Sequence, residues 1–459
     1  MNYFCYMVRM ACPATGMPTN AAAPDHSHSL RGAWSVALVL AFLQLPVPVV
    51  SAADSNDTVL ALEQAVSLAV GENPGLAGMQ ARAAAIAAMP SQAGSLPDPM
   101  LSLDAMSFPT DTFSRSQEPM TQLQLGIEQE LPFPGKLGLK QRAAERDADA
   151  AASNVDETRL RLVADVKQAW WQIYFLDRAL EIVNRNHDLM NQFVQIAQTR
   201  YKVGEGLQQE VLLAQVEMSK LLDRQIELQG TRRQQAARLN SLLNRSADTR
   251  VLLPEQVGEQ LPAILTEQQL YDRAMHVRPL LEQKRYEVEA ARTRHDLARR
   301  DRYPDFKLGA SYGFRDGNEP DGSARADLAS VGIAVSLPLY ASRKQNRAID
   351  QSSNELLQQQ FALQDEFSSV RGDISAALAD YQRASEQVQL YKSGILPQAR
   401  QSVASMLSGY QVNKVDFLNL VRAQITLYDY ETQYWKAFGE AHQALARLTA
   451  TVGEEVTGE

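Results

Sequence analysis

The 459 residues could hold three ordinary domains, and 45% hydrophobic with 22% charged residues at a mean hydropathy of −0.29 is an ordinary soluble composition. A net charge of −9 argues against a nucleic-acid binder, which would usually show a basic face or stripe. The only cysteines, Cys5 and Cys12, both precede the first apolar run.

That run covers residues 33–50, with Arg31 in front and Ser51, Ala52 and Ala53 behind. A positive residue, a short apolar core and a small-residue end predict a secretory signal peptide, so residues 1–53 are read as an N-terminal extension and signal. Met17 is an alternative start. Pro46, Pro48 and the shortness of the run oppose a transmembrane anchor. Cleavage near Ala52 or Ala53 leaves a chain without cysteine, which excludes disulfides and thiol chemistry. It also excludes a lipid-anchored N-terminal cysteine, since neither Cys5 nor Cys12 follows an apolar core.

The remainder reads as two copies of one plan, residues 54–255 and 256–459. Each opens with short helices, 60–88 broken at Asn73-Pro74 and 267–299 broken at Arg278-Pro279. Two alternating strands follow in each, about 100–108 and 121–131, then about 306–314 and 328–337. In 121–136 (TQLQLGIEQELPFPGK), Leu123, Leu125, Ile127 and Leu131 alternate with Gln122, Gln124, Glu128 and Glu130. That is a strand with one apolar and one wet face, and Pro132 and Pro134 end its ladder. The stretch 331–340 (VGIAVSLPLY) repeats it, with Gly126 falling on Gly332 and Leu131-Pro132 on Leu337-Pro338.

Strands of about ten residues with this alternation suit a transmembrane barrel. Four cannot close one, because about eight is the smallest number in use. A barrel therefore needs several chains. The alternative is a soluble hairpin lying on a core. On the barrel reading the wet face lines a lumen, and Asp104, Glu128, Glu130, Lys307 and Ser311 are its candidates; otherwise they are simply solvated.

Long helices complete each copy, predicted at 137–201 and 208–245, then 342–410 (with Pro397 inside it) and 416–452. Apolar residues at spacings of three and four, such as Val155, Leu162, Val166, Ala169 and Ile173, predict coiled-coil hairpins. About 60 helical residues reach roughly 90 Å, which no compact soluble core requires. The hairpin tips also repeat: Tyr201, Val203 and Gly204 answer Tyr410, Val412 and Asn413.

The signal, the duplicated hairpin and coiled coil, the Leu-Pro step and these tips together resemble the TolC-like outer-membrane efflux family over almost all of the mature chain. LPFPGK at 131–136, followed by Lys140 and Arg142, and LPDPML at 96–101 are similar to its heavy-metal, CzcC/CusC-type branch. The resemblance implies a mixed α/β membrane fold in which three chains give a twelve-stranded β-barrel continued by an α-helical barrel. It implies a homotrimer in outer-membrane lipid, extending into the periplasm, working with a periplasmic adaptor and an inner-membrane RND pump. The role implied is a passive exit duct for heavy-metal cations. The same duct for drugs or type I secreted proteins, and a barrel-free periplasmic coiled-coil adaptor, are the alternatives. It further implies that Tyr201, Val203, Gly204, Tyr410, Val412 and Asn413 meet the adaptor and that Glu210, Asp416, Asn419 and Arg422 form the periplasmic gate. Members of the family often place acids there; Asn419 and Arg422 depart from that, and a mixed Glu210–Arg422 closure is expected instead of an acidic ring.

No enzyme, cofactor or resident metal site is expected. Gly309, Ser311 and Gly313 fit a G-x-S-x-G pattern, but the alternation runs straight through it where that motif needs a tight turn. No phosphate-binding G-x-x-x-x-G-K-[ST] loop occurs, so energy must come from a partner. His26 and His28 form a His-x-His pair within the signal region, and His187, His276, His295 and His442 are isolated. Met79, Met89, Met100, Met106 and Met120 could offer thioethers to Cu(I), but are expected to be flexible core filler.

Overall fold

The structure, a computed structural model, describes residues 59–457. The signal peptide, Cys5, Cys12, His26 and His28 lie outside the described residues. Three short helices come first, α1 (Leu62–Glu72), α2 (Pro74–Ala87) and α3 (Met89–Gly94). Asn73 separates the first two by capping α2, its side chain accepting from Leu76 N–H at 3.0 Å with Pro74 at the first helical position. Strands β1 (Met100–Met106) and β2 (Gln122–Leu131) then lead into α4 (Lys136–Lys202) and α5 (Gln208–Leu242). The second half repeats the order with α6 (Glu267–Val277), α7 (Pro279–Arg300), β3 (Phe306–Phe314), β4 (Leu328–Val335), α8 (Gln345–Leu390), α9 (Leu396–Gln411) and α10 (Phe417–Val452).

Several predicted boundaries shift for local reasons. The helix expected over 342–410 starts only at Gln345, and one π-helical turn, Tyr391–Ile395, divides α8 from α9. Pro397 follows at once. It supplies no N–H and crowds the preceding turn, and the widened π turn takes up the mismatch. Helix α5 stops at Leu242 because Asn244 is left-handed, with φ +54°. Strand β1 stops at Met106 because Ser107 has φ +57°. Helix α3 was not anticipated; Pro90 starts it and it spans only six residues.

The four strands make one antiparallel sheet in the order β1-β2-β3-β4, so the halves of the chain join through the β2–β3 seam. Register fixes the faces, since paired residues share one. Asp104 pairs with Gln124 and that residue with Gly313, while Glu130 pairs with Lys307 and that residue with Ala334. The opposite face carries Leu101, Leu103, Leu123, Leu125, Ile127, Leu308, Tyr312, Val331 and Ile333. It is bare: Leu101, Val331 and Ile333 are 74%, 79% and 72% exposed.

The packed core lies in the helices. Helix α4 packs on α5, α7 and α10, and α10 on α8 and α9. An aromatic cluster from α4 and α10 sits at the crossing, with Trp170 and Tyr174 stacked at 5.7 Å and Trp171 edge-on to Phe438. The Trp170 indole N–H donates to Leu60 C=O at 3.0 Å, tying the start of the described chain to the middle of α4. His442 stacks on Trp171 at 3.7 Å between ring centroids.

Candidate functional site

Three places along the molecule carry the predicted functional residues. The first is the wet face of the sheet. Register brings Asp104, Glu128, Glu130, Lys307 and Ser311 onto this one face. The Lys307 ammonium lies 3.0 Å from the Glu128 carboxylate, and Gln124 donates to the Ser311 hydroxyl. Ser311 is in mid-strand, with no turn beneath it, so the G-x-S-x-G pattern here is a run of small residues on a wet strand. Gly126, Gly309, Gly313 and Gly332 share this face, which leaves its centre free of bulky side chains.

One expectation is corrected here. Met79 packs against the helical core, but Met89, Met100, Met106 and Met120 are exposed, so four of the five are not core filler. The period of β1 is the reason for two of them, as it turns Met100 and Met106 to the wet face opposite Glu128 and Gln122. Among the described residues no group of three His, Cys, Asp or Glu side chains gathers as metal ligands.

The second place is the junction between sheet and helices. Pro132 and Pro134 end β2, and Gly135, at φ +89°, turns the chain into α4. Lys136 is then only 4% exposed. Its ammonium donates to Tyr303 C=O and to Asp305 Oδ1, both at 2.9 Å, and lies 3.4 Å from Asp301. Asp305 also accepts from Phe133 N–H at 2.7 Å, and Phe133 stacks on Tyr303 at 4.7 Å. Partial burial pushes the Asp305 carboxyl up, but the Lys136 ammonium and the Phe133 amide outweigh it and hold the group below the usual carboxylate range. The segment leaving β2 is thus clasped to the one entering β3.

The third place is the pair of helix tips. Gly204 and Asn413, at φ +80° and +59°, close α4 and α9 in the same way. Glu205 N–H returns to Arg200 C=O at 2.9 Å and Gly204 N–H to Tyr201 C=O at 3.1 Å; Lys414 and Asn413 repeat both bonds to Gly409 and Tyr410. This is the Schellman arrangement, which needs a left-handed residue that glycine or asparagine can supply. Tyr201, Val203, Gly204, Val412 and Asn413 are exposed, whereas Tyr410 is buried, 5% exposed, which raises its phenol pKa.

Arg200 joins the two tips. Its guanidinium lies over the Tyr410 ring at 4.8 Å and donates to the Asn413 side chain. Glu210 is half-buried near Tyr410, and its Oε2 has no hydrogen-bond partner among the described residues. Asp416 starts α10 without capping it through its side chain, and Asn419 and Arg422 are exposed on that helix. Glu210 and Arg422 make no ion pair within one chain.

The family described as "Outer membrane efflux protein" matches residues 65–245 and 270–454, one stretch in each half. The "Cobalt-zinc-cadmium resistance protein CzcC" of Cupriavidus metallidurans is 23% identical over 403 residues, covering 86% of this chain and 90% of that protein. Among solved structures, the outer membrane protein VceC of Vibrio cholerae superposes with a TM-score of 0.72 at 18% identity, over 86% of this chain and 96% of that one. CusC, whose structures concern transmembrane channel formation, gives a TM-score of 0.72 at 16% identity, over 86% and 92%.

Proposed function

Because the chain belongs to the outer membrane efflux protein family, we propose that three copies close a twelve-stranded barrel and form the passive exit duct of a tripartite exporter of heavy-metal cations. One observation carries the duct reading. The sheet has an apolar face with no cover, a wet face with small residues at its centre, and unpaired outer edges on β1 and β4. In water such a sheet would aggregate through its edges. In a lipid-embedded closed barrel the apolar face meets acyl chains, the edges pair, and the polar face lines water.

The long helices continue that wall into the periplasm. An exit duct needs no chemistry of its own: ions pass a wide wet pore without specific ligands, and the Lys307–Glu128 pair sets only the local charge. Energy and cargo selection then fall to an inner-membrane RND pump, coupled through a periplasmic adaptor that meets the exposed Tyr201, Val203, Gly204, Val412 and Asn413, while Tyr410, expected among them, is buried and supports the tip from beneath. Glu210, Asp416, Asn419 and Arg422 line the closure, with Glu210 of one copy facing Arg422 of another. Arg422 is exposed on α10 and Glu210 partly exposed near the start of α5, which leaves both side chains open to another copy.

The metal assignment rests on the likeness to CzcC. A deletion strain tested against Cu, Ag, Zn, Cd, Co and Ni salts and against a drug panel decides it. The expected result is a lowered tolerance to at least one metal. Unchanged metal tolerance with new drug sensitivity would assign the duct to organic cargo.

A further inference from the structure

The duplication states how one copy should meet the next, a step that rests on the multi-chain barrel proposed above. Within the chain, the second strand of one repeat pairs with the first strand of the following repeat, β2 with β3. Among the described residues β4 has no strand on its outer side, and the repeat pattern gives it the first strand, β1, of another copy as its partner. Both are edges of the sheet, and every residue of each is exposed.

The internal repeat fixes the register. Gly126 maps onto Gly332 from β2 to β4, and Pro97-Asp98 maps onto Pro304-Asp305 ahead of β1 and β3. Under this mapping Met100 opposite Glu128 becomes Lys307 opposite Ala334, which is the observed pair, so the two hairpins superpose without slippage. The same mapping applied to the β2–β3 seam turns Leu125 opposite Tyr312 into Val331 opposite Ala105. Ile127 opposite Ala310 becomes Ile333 opposite Leu103, and Gly126 opposite Ser311 becomes Gly332 opposite Asp104.

The clasp below the seam maps too. Asp305 corresponds to Asp98, Phe133 to Leu339 and Tyr303 to Leu96. Lys136 corresponds to Ser342, with Arg343 and Lys344 immediately after it. Where Lys136, Asp305, Phe133 and Tyr303 satisfy one another inside the chain, these counterparts do not. Leu96 and Leu339 are 51% and 80% exposed, and the side chains of Asp98, Arg343 and Lys344 have no partner among the described residues.

We propose that the seam between copies repeats the β2–β3 seam. Strand β4 of one copy pairs antiparallel with β1 of the next, Val331 opposite Ala105 and Ile333 opposite Leu103. Below it, Asp98 of the second copy receives Arg343 or Lys344 of the first while Leu339 packs on Leu96. The basic group has moved one or two positions along the chain from that of Lys136, and long Arg and Lys side chains span that offset.

Paired cysteines in a Cys5→Ser, Cys12→Ser background test the register, because a disulfide forms only where Cα atoms approach within about 7 Å. Val331→Cys with Ala105→Cys, and Ile333→Cys with Leu103→Cys, are expected to link copies under mild oxidation several-fold more than the slipped pairs Val331→Cys with Leu103→Cys and Ile333→Cys with Ala105→Cys. Stronger linkage in a slipped pair would overturn the register. The clasp is tested by Asp98→Arg, expected to weaken the assembly in detergent, with recovery when Arg343→Asp and Lys344→Asp are added. An unaffected assembly in Asp98→Arg would overturn the clasp. A native mass of one chain for the parent protein would sink the multi-chain barrel itself, which separates that failure from an error of register.

Discussion

Lys136 is a cation buried where the sheet meets the helices, and its three oxygen contacts explain why that burial is tolerated. Replacing it with Met keeps the length of the stem but leaves Asp305 and Tyr303 C=O without the ammonium. The expected cost is about 2–3 kcal/mol, read as a lowered melting temperature of the detergent-solubilised protein. Asp305→Asn should cost less, since the amide oxygen still accepts from Phe133 N–H. His442 makes a pH-dependent contribution. Burial against Trp171 pushes it down to about 4 from 6.5, so between those values the unfolded chain binds the extra proton and stability falls as pH falls. Below about pH 4 both states are protonated and the loss levels off, after a total on the order of 3 kcal/mol. Thermal melts of the parent and His442→Phe from pH 7 to 4 check this; the variant should show a shallower decline.

Among the elements, the equivalence of the two tips makes a sharper prediction. Gly204 sits at φ +80° with open space around a would-be Cβ, so Gly204→Ala pays only for the left-handed backbone, about 1 kcal/mol. Asn413→Gly relieves the same strain but removes the acceptor of Arg200. If Arg200 holds the tips together, Asn413→Gly opens the purified channel more readily in planar-bilayer recordings while Gly204→Ala does not. The gate assignment predicts that Glu210→Ala and Arg422→Ala each raise the conductance of the closed channel; unchanged closure in both would refute a mixed-charge gate.

What the sequence reveals follows from the range of the interaction. Strand faces, Leu-Pro exits and helix tips are encoded by residues within a turn or a period of one another, and the sequence reading shares them with the structure. The alternation in 121–131 gives the face of every residue in β2 without a partner strand. The Lys136 clasp and the Arg200 bridge join residues 169 and 213 positions apart, and no local pattern reports them. Of the four exposed methionines, Met100 and Met106 are placed on the wet face by the strand period of β1, which side-chain chemistry alone does not report.

At the scale of the whole molecule, one chain is an incomplete object. Its sheet has two open edges and a bare apolar face, and its junction carries one satisfied clasp and the separated halves of a second. The duct account supplies the missing contacts with further copies and lipid. Its most direct test is the native mass of the full-length protein extracted from the outer membrane in mild detergent. The account predicts a single species with the mass of three processed chains. A species of one or two chains would contradict it, since four or eight strands of this sheet cannot make the twelve-stranded wall.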